Sequence, residues 1–225
     1  MTDVWRIDVR GAGEDLEHLL SADEVERAAR FASVSARATF VTTRAALRTL
    51  AGSYLGVAPE AVAFSYGPQG KPEVEGLSFN VSHAGDVALA AFGSGEARRI
   101  GVDVELLRPE APMRALARRF FTSAENEALE QLSGEELVRG FYGCWACKEA
   151  FVKAMGEGLS FGVGRVEVAV YPAPAGIVSV DGDEGAAAQW TLHEVDAGPG
   201  YAAAVAVDAP GEDVVVRDWP ASVAA

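Results

Sequence analysis

The chain has 225 residues, 49% hydrophobic and 23% charged, with 33 acidic against 19 basic side chains and a net charge of −14. That length can bury a substantial core in one large or two small domains. The acidity argues against a nucleic-acid partner, which asks for a basic footprint, and no run of about 18 apolar residues exists to span a bilayer.

In chain order, "VWRIDVR" (4–10) reads as a strand and "SADEVERAARF" as a helix whose Ser21 and Glu24 have capping-box spacing. The opening twenty residues carry acids early and no basic-then-apolar order, so no signal peptide is expected and the cytoplasm is. "ATFVTTRAALRTLAGSYL" (38–55) is an amphipathic helix with Phe40, Leu47, Leu50 and Tyr54 on one face and Arg37, Arg44 and Arg48 on an adjacent stripe. "AVAFSY", "LSFNVSH" and "DVALAAFG" follow as short strands, the last two joined by a tight turn at Ala84-Gly85, and "IGVDVELL" extends the set. The order then restarts. "MRALARRFF" and "SAENEALEQL" are helical, a long helix runs through "EELVRGFYGCWACKEAFVKAMG" to a stop at Gly156, and five strands close the chain before a tail, "PASVAA", expected to fray. Each half thus holds one long helix and several antiparallel strands without βαβ alternation. This predicts an α+β fold of two similar subdomains, residues 1–100 and 101–225.

Within "RIGVDVELL", Val102, Val104 and Leu106 alternate with Gly101, Asp103 and Glu105, so one face of a strand is apolar and the other acidic. Carboxylates about 6–7 Å apart repel by ~2–3 kcal/mol at an effective dielectric near 20. Either that face is open to solvent or something positive belongs there.

Four further segments carry chemistry-bearing residues: "GKP" with Lys71 at a glycine-opened turn, "FNVSH" with Asn80, Ser82 and His83, "FFTSAE" with Glu125 in a helix's first turn, and "WACKEAFVKAMGEGL". The last sets Trp145, Glu149 and Lys153 at i, i+4 and i+8 on one helical stripe. This order and spacing resemble the 4′-phosphopantetheinyl transferases, specifically the surfactin-synthetase-activating (Sfp-type) branch, over roughly residues 20–160.

The resemblance implies a pseudo-twofold pair of α+β subdomains with the active site in the cleft between them, in a monomer. It implies transfer of the phosphopantetheine arm of coenzyme A to a serine of an apo acyl or peptidyl carrier protein, releasing adenosine 3′,5′-bisphosphate. By match to the motifs, Asp103, Glu105 and Glu149 would hold Mg²⁺ on the pyrophosphate, as a hard cation asks for oxygen ligands. Glu125 or Glu149 would take the proton of the attacking serine, and Lys153 would neutralise charge on the pyrophosphate oxygens. Ser82 and His83 would contact coenzyme A phosphates, Lys71 would sit by the nucleotide, and Arg27, Arg30 and Arg44 are candidates for the 3′-phosphate. Glu24 stands where some relatives carry lysine, and "SHA" departs from a commoner "SHS".

Plainer readings stand beside these. Glu125 follows Thr122 by three and can be a helix cap. Lys148 and Lys153 can be a solvated helix face, Trp145 a core residue buttressing Glu149, and Gly156 a C-cap rather than part of a phosphate loop. The only cysteines, Cys144 and Cys147, lack further zinc ligands nearby and read as small buried residues. In "RALARRF", Arg114, Arg118 and Arg119 are expected outward, flanked by Met113 and Phe120, as a patch that docks the acidic carrier. Two rivals remain: a glycoside hydrolase using Asp103 and Glu105, whose parallel direction suits a metal better than two-sided attack, and a catalytically silent relative that binds coenzyme A or carrier.

Overall fold

The computed structural model describes residues 1–10, 13–67, 70–93, 99–156 and 162–220. Two sheets and two 22-residue helices build the molecule. The first sheet has the order β11-β1-β5-β4, with β1 Thr2–Asp8, β4 Ser78–Ala84, β5 Val87–Gly93 and β11 Val214–Asp218. The second has the order β6-β10-β9, with β6 Ile100–Leu106, β9 Thr191–Glu194 and β10 Tyr201–Val207.

Side-chain alternation sorts the strands into layers. Ile7, Ala88, Ala90 and Phe92 face α2 (Val34–Leu55), where Ala46, Leu47, Leu50 and Ala51 meet them. Val4, Leu89 and Ala91 face the other way, onto Val102, Val104, Val205 and Val207 of the second sheet. The far face of that second sheet, Ala204 and Ala206, packs on α5 (Gly134–Met155) through Ala146, Ala150 and Ala154. The result is helix, sheet, sheet, helix. The mixed α+β class is as the sequence predicts.

Smaller elements complete it: α1 (Ala22–Ala29) against α2, the hairpin β2 (Ser65–Tyr66) with β3 (Pro72–Glu73), α3 (Met113–Phe120), α4 (Ser123–Glu130), the pair β7 (Val166–Val168) and β8 (Ile177–Val180), and α6 (Glu184–Ala187). The strand expected over "AVAFSY" shrinks to Ser65–Tyr66, because Pro59 opens a 3-10 turn through Ala61. The helix expected from residue 38 starts at Val34, where Ser33 accepts a hydrogen bond from the Ala36 amide.

The last strand crosses the expected division of the chain at residue 100. β11 leaves the second half and pairs in parallel with β1, Thr2 opposite Val214 through Arg6 opposite Asp218. The first sheet is therefore mixed, not antiparallel, and the two halves share a strand. The tail from residue 221 lies outside the described residues, as do Glu157 and Gly158. Gly156 is the left-handed C-cap of α5 (φ 75°), as its sequence position suggests.

Candidate active site

The acidic face of β6 is turned toward α5, and glycine sets how close the helix comes. A Cβ at Gly101 would stand 2.0 Å from the Ala150 carbonyl oxygen and 2.4 Å from the Ala154 amide nitrogen. Beside it, β10 puts alanine opposite each residue of that face: Ala206 by Gly101, Ala204 by Asp103, Ala202 by Glu105. Small residues on both sides let α5 lie flat on the sheet, and its last two turns then bring Glu149 and Lys153 over Asp103.

Asp103 is 4% exposed. Its Oδ1 accepts from Lys153 Nζ at 2.6 Å and from the Ser82 hydroxyl at 3.0 Å, and Lys153 also donates to Ser82 at 2.8 Å. Its Oδ2 is buried with no partner. Burial pushes the Asp103 carboxyl up, against the pull of Lys153 and Ser82. Glu105 is pushed up to about 7, by burial first and then by the charge of Asp103, with Lys153 and a hydrogen bond from Trp145 opposing. Glu149 is raised by burial and by Asp103. Three carboxylates thus crowd one ammonium. Trp145 serves Glu105, not Glu149, and packs edge-on to Phe120 at 5.6 Å between ring centres.

Asn80 and Ser82 come from β4, whose edge lies beside β6. Asn80 Oδ1 accepts from the Val102 amide at 3.0 Å, which ties the two sheets together one residue from Asp103. The Ser82 hydroxyl, expected on a phosphate, bonds here to Asp103 and Lys153. His83, next along the strand, points away and is exposed.

Lys71 stands on the β2–β3 hairpin across a cavity of about 370 Å³ from Lys153, with Gly67, Gly70, Phe79, Asn80 and Gly156 in the walls. Burial and the nearby Lys153 charge lower the Lys71 pKa, with Glu73 opposing. Two ammoniums facing one cavity describe a seat for a multiply charged anion.

The arginines divide. Arg44 is buried at 6% exposure, 3.4 Å from Glu24, with its guanidinium 4.8 Å over Phe64 and 5.6 Å over Tyr66, and its Nη1 has no partner. Arg27 lies 5.1 Å over Phe40, a ring it shares with Arg44. Arg30 does not join them. It pairs with Glu26 at 3.4 Å in open solvent. Glu24, 2% exposed, is the buried counter-ion of Arg44 and of Arg48, the latter at 2.6 Å, so a lysine there would leave both guanidiniums unpaired.

Glu125, also expected as a base, lies in a sealed setting. It is 1% exposed, and both oxygens accept from Lys148 Nζ at 2.7 Å. Oε1 accepts further from the Val168 amide and Oε2 from the Thr122 amide, each at 2.8 Å. A carboxylate with every acceptor filled and no water contact has no path to a hydroxyl proton. Lys148, whose plainer reading in the sequence is a solvated face, is wholly buried. Arg114 is likewise internal in role: it donates to the Leu129 and Leu132 carbonyls at the end of α4. Cys144 and Cys147 are free and buried, and burial pushes Cys147 up to about 12.

Among the described residues no three His, Cys, Asp or Glu side chains close around a common point. Lys153 holds the place beside Asp103. The donor set nevertheless suits a hard divalent cation: three oxygen-only side chains with raised proton affinity, one of them with a bare buried oxygen. Sequence reasoning missed Asn80's tie and the role of Gly101, although a glycine inside a strand is the usual sign of close backbone approach.

Residues 99–206, which hold β6, α5 and β10, match the model of the 4′-phosphopantetheinyl transferase superfamily. The chain is 38% identical over 214 residues to the 4′-phosphopantetheinyl transferase HetI of Nostoc sp., covering 91% of this chain and 86% of that protein. It is 31% identical over 222 residues to the 4′-phosphopantetheinyl transferase Sfp of Bacillus subtilis, covering 91% of this chain and 95% of that one. At these identities and coverages the chain belongs to the 4′-phosphopantetheinyl transferases.

Proposed function

We propose that this chain moves the 4′-phosphopantetheine arm of coenzyme A onto a serine hydroxyl of an acyl or peptidyl carrier protein, in the cytoplasm and as a monomer. The observation that carries the reading is the Lys153–Asp103–Ser82 cluster beside the cavity that Lys71 and Lys153 share. No helix among the described residues is long and apolar enough to cross a membrane.

Asp103, Glu105 and Glu149 would hold Mg²⁺, which when bound supplies positive charge to the pyrophosphate of coenzyme A. Lys153 and Lys71 bind pyrophosphate oxygens from the cavity walls. Arg44, with one guanidinium nitrogen free, and Arg27 face the nucleotide end, where Phe64 and Tyr66 offer ring faces. The serine oxygen attacks the β-phosphorus, the bond from that phosphorus to the bisphosphate breaks, and the serine proton passes to a base. Glu149, at the reacting centre beside Asp103 and Lys153, suits that part, whereas Glu125 is buried and bonded to Lys148. The bisphosphate nucleotide leaves with the electron pair of the broken bond. Because phosphoryl transfer is mostly positioning and charge neutralisation, fixed cations matter more here than a strong base. Incubation with coenzyme A, Mg²⁺ and an apo carrier protein is expected to add one phosphopantetheine mass to the carrier, and none in excess EDTA. Binding of coenzyme A without any mass gain would return the chain to the silent reading.

For the carrier, α3 offers Arg118 and Arg119, both exposed. At the other end of α3, Met113 joins Leu107, Leu137, Val138 and Arg139 in a groove of about 1070 Å³ that also holds Glu135 and Glu194. An acidic helix with an apolar face fits this combination, and the enzyme's net charge of −14 makes a local basic patch necessary for the encounter. Reversing Arg118 and Arg119 to glutamate is expected to raise the carrier KM about tenfold and leave that for coenzyme A unchanged. An unaltered carrier KM would remove α3 from the interface.

A further inference from the structure

A fully bonded, buried ion pair lies one residue from Glu149 and lines none of the cavities described above. Lys148 is 0% exposed and Glu125 1%. The three ammonium protons of Lys148 are matched by Glu125 Oε1, Glu125 Oε2 and the Val166 carbonyl. Glu125 also accepts from the amides of Thr122, the N-cap of α4, and Val168 on β7. One ion pair so joins α4, α5 and β7.

Such a pair is a poor source of stability, because desolvating two charges offsets most of their attraction; its best-attested use is to fix register. Elsewhere α5 is held by apolar packing, through Phe141, Trp145 and Phe151, but on its sheet side little fixes its register. Its seat on the sheet is Gly101 with Ala202, Ala204 and Ala206, met by alanines of the helix itself. A seat of glycine and alanine permits close approach but offers few projections against rotation. Consecutive residues lie about 100° apart around a helix, and side-chain ends sit some 5–6 Å from its axis. A rotation of about 10° therefore moves a side-chain end by about 1 Å, enough at a reacting centre to cost about 100-fold in rate.

We propose that Glu125 and Lys148 are positioning residues: their sealed pair locks the rotation of α5, so that Glu149 and Lys153 face Asp103 and Ser82. The inference rests on the transferase reading for its assay and on the geometry for its content.

The test is the paired variant Glu125→Leu/Lys148→Met, which removes both charges and orphans neither. Its thermal midpoint is expected to fall only modestly, because the charges go together while the Val166 carbonyl and the Val168 and Thr122 amides lose a partner. Its KM for coenzyme A is expected within twofold, its kcat reduced 10- to 100-fold, and its Mn²⁺ affinity, read by electron paramagnetic resonance with coenzyme A present, several-fold weaker. A folded paired variant with wild-type kcat overturns the proposal. Should that variant not fold, Glu125→Asp keeps the charges and withdraws the carboxylate by one methylene. It is expected to lower kcat at unchanged coenzyme A KM, and a wild-type kcat there overturns the proposal equally. If the wild type itself binds no Mn²⁺, the metal assignment falls and the kcat comparison still decides on the pair.

Discussion

Asp103→Asn is expected to lower kcat at least about 100-fold while the thermal midpoint moves by no more than a few degrees. The amide oxygen can go on accepting from Lys153 and Ser82, and the amide nitrogen takes the place of an oxygen that has no partner already. What disappears is the charge. With it goes part of the repulsion that pushes Glu105 up to about 7 and raises Glu149. The consequence is visible in stability as well as rate. A carboxylate whose folded pKa lies above its unfolded one takes up protons on folding between the two values, so metal-free stability rises as pH falls through the folded pKa. For the wild type in EDTA, Glu105 places that rise around pH 7. In Asp103→Asn the rise moves to lower pH, which melting curves at pH 6, 7 and 8 read directly. A variant that melts ten degrees lower would make Asp103 a structural residue, and one that retains turnover would remove it from the site.

Much of this site was legible before the fold. The two-residue alternation of "GVDVE" and the four-residue spacing of Glu149 and Lys153 are local geometry, and local geometry survives folding. Lys71 at its glycine turn was equally readable, since Gly70 does adopt a positive φ of 75°. What the sequence could not separate was an exposed from a sealed carboxylate. The capping box of Thr122 and Glu125 has the same spacing whether the helix start faces water or a buried lysine, and here Lys148 comes from another helix. The same limit applies to Arg44 and Arg48, whose stripe on α2 looks solvated until Glu24 of α1 folds over it. The parallel pairing of β1 with β11 joins residues more than two hundred positions apart and leaves no local mark.

The two sheets make the site rigid from opposite sides. From the first, Asn80 reaches into the ladder of β6 to hold the Val102 amide, and Ser82 holds Asp103 two residues further along its strand. From the second, Tyr201 on β10 accepts a hydrogen bond from the Asp86 amide in the β4–β5 turn, just past His83. β4 is therefore fastened to its neighbouring sheet at both ends of the motif "FNVSH". A carboxylate reached from β4, β6 and α5 at once keeps its place without a ligand, which is the preorganisation that electrostatic catalysis depends on.

The largest effect expected from a single methyl group is at Gly101. In Gly101→Ala the new Cβ would meet backbone atoms, the Ala150 carbonyl at 2.0 Å and the Ala154 amide at 2.4 Å, and neither can step aside as a side-chain end can. α5 must lift by an ångström or more along its last two turns. That lift strips contact from the alanine seat and carries Lys153 off Asp103 and Ser82. Overpacking of a dense core costs about 1–3 kcal/mol and more where backbone must move, so a loss of at least 3 kcal/mol in denaturant unfolding is expected. At temperatures where the variant remains folded, turnover should fall below about one hundredth of wild type, because the displaced group is the cation of the site. Gly143→Ala is the control: it lies on the same helix, with only a Glu194 side-chain oxygen at 3.5 Å from the new methyl, and should be nearly silent. Equal behaviour of the two variants would mean that α5 does not owe its position to the glycine beneath it.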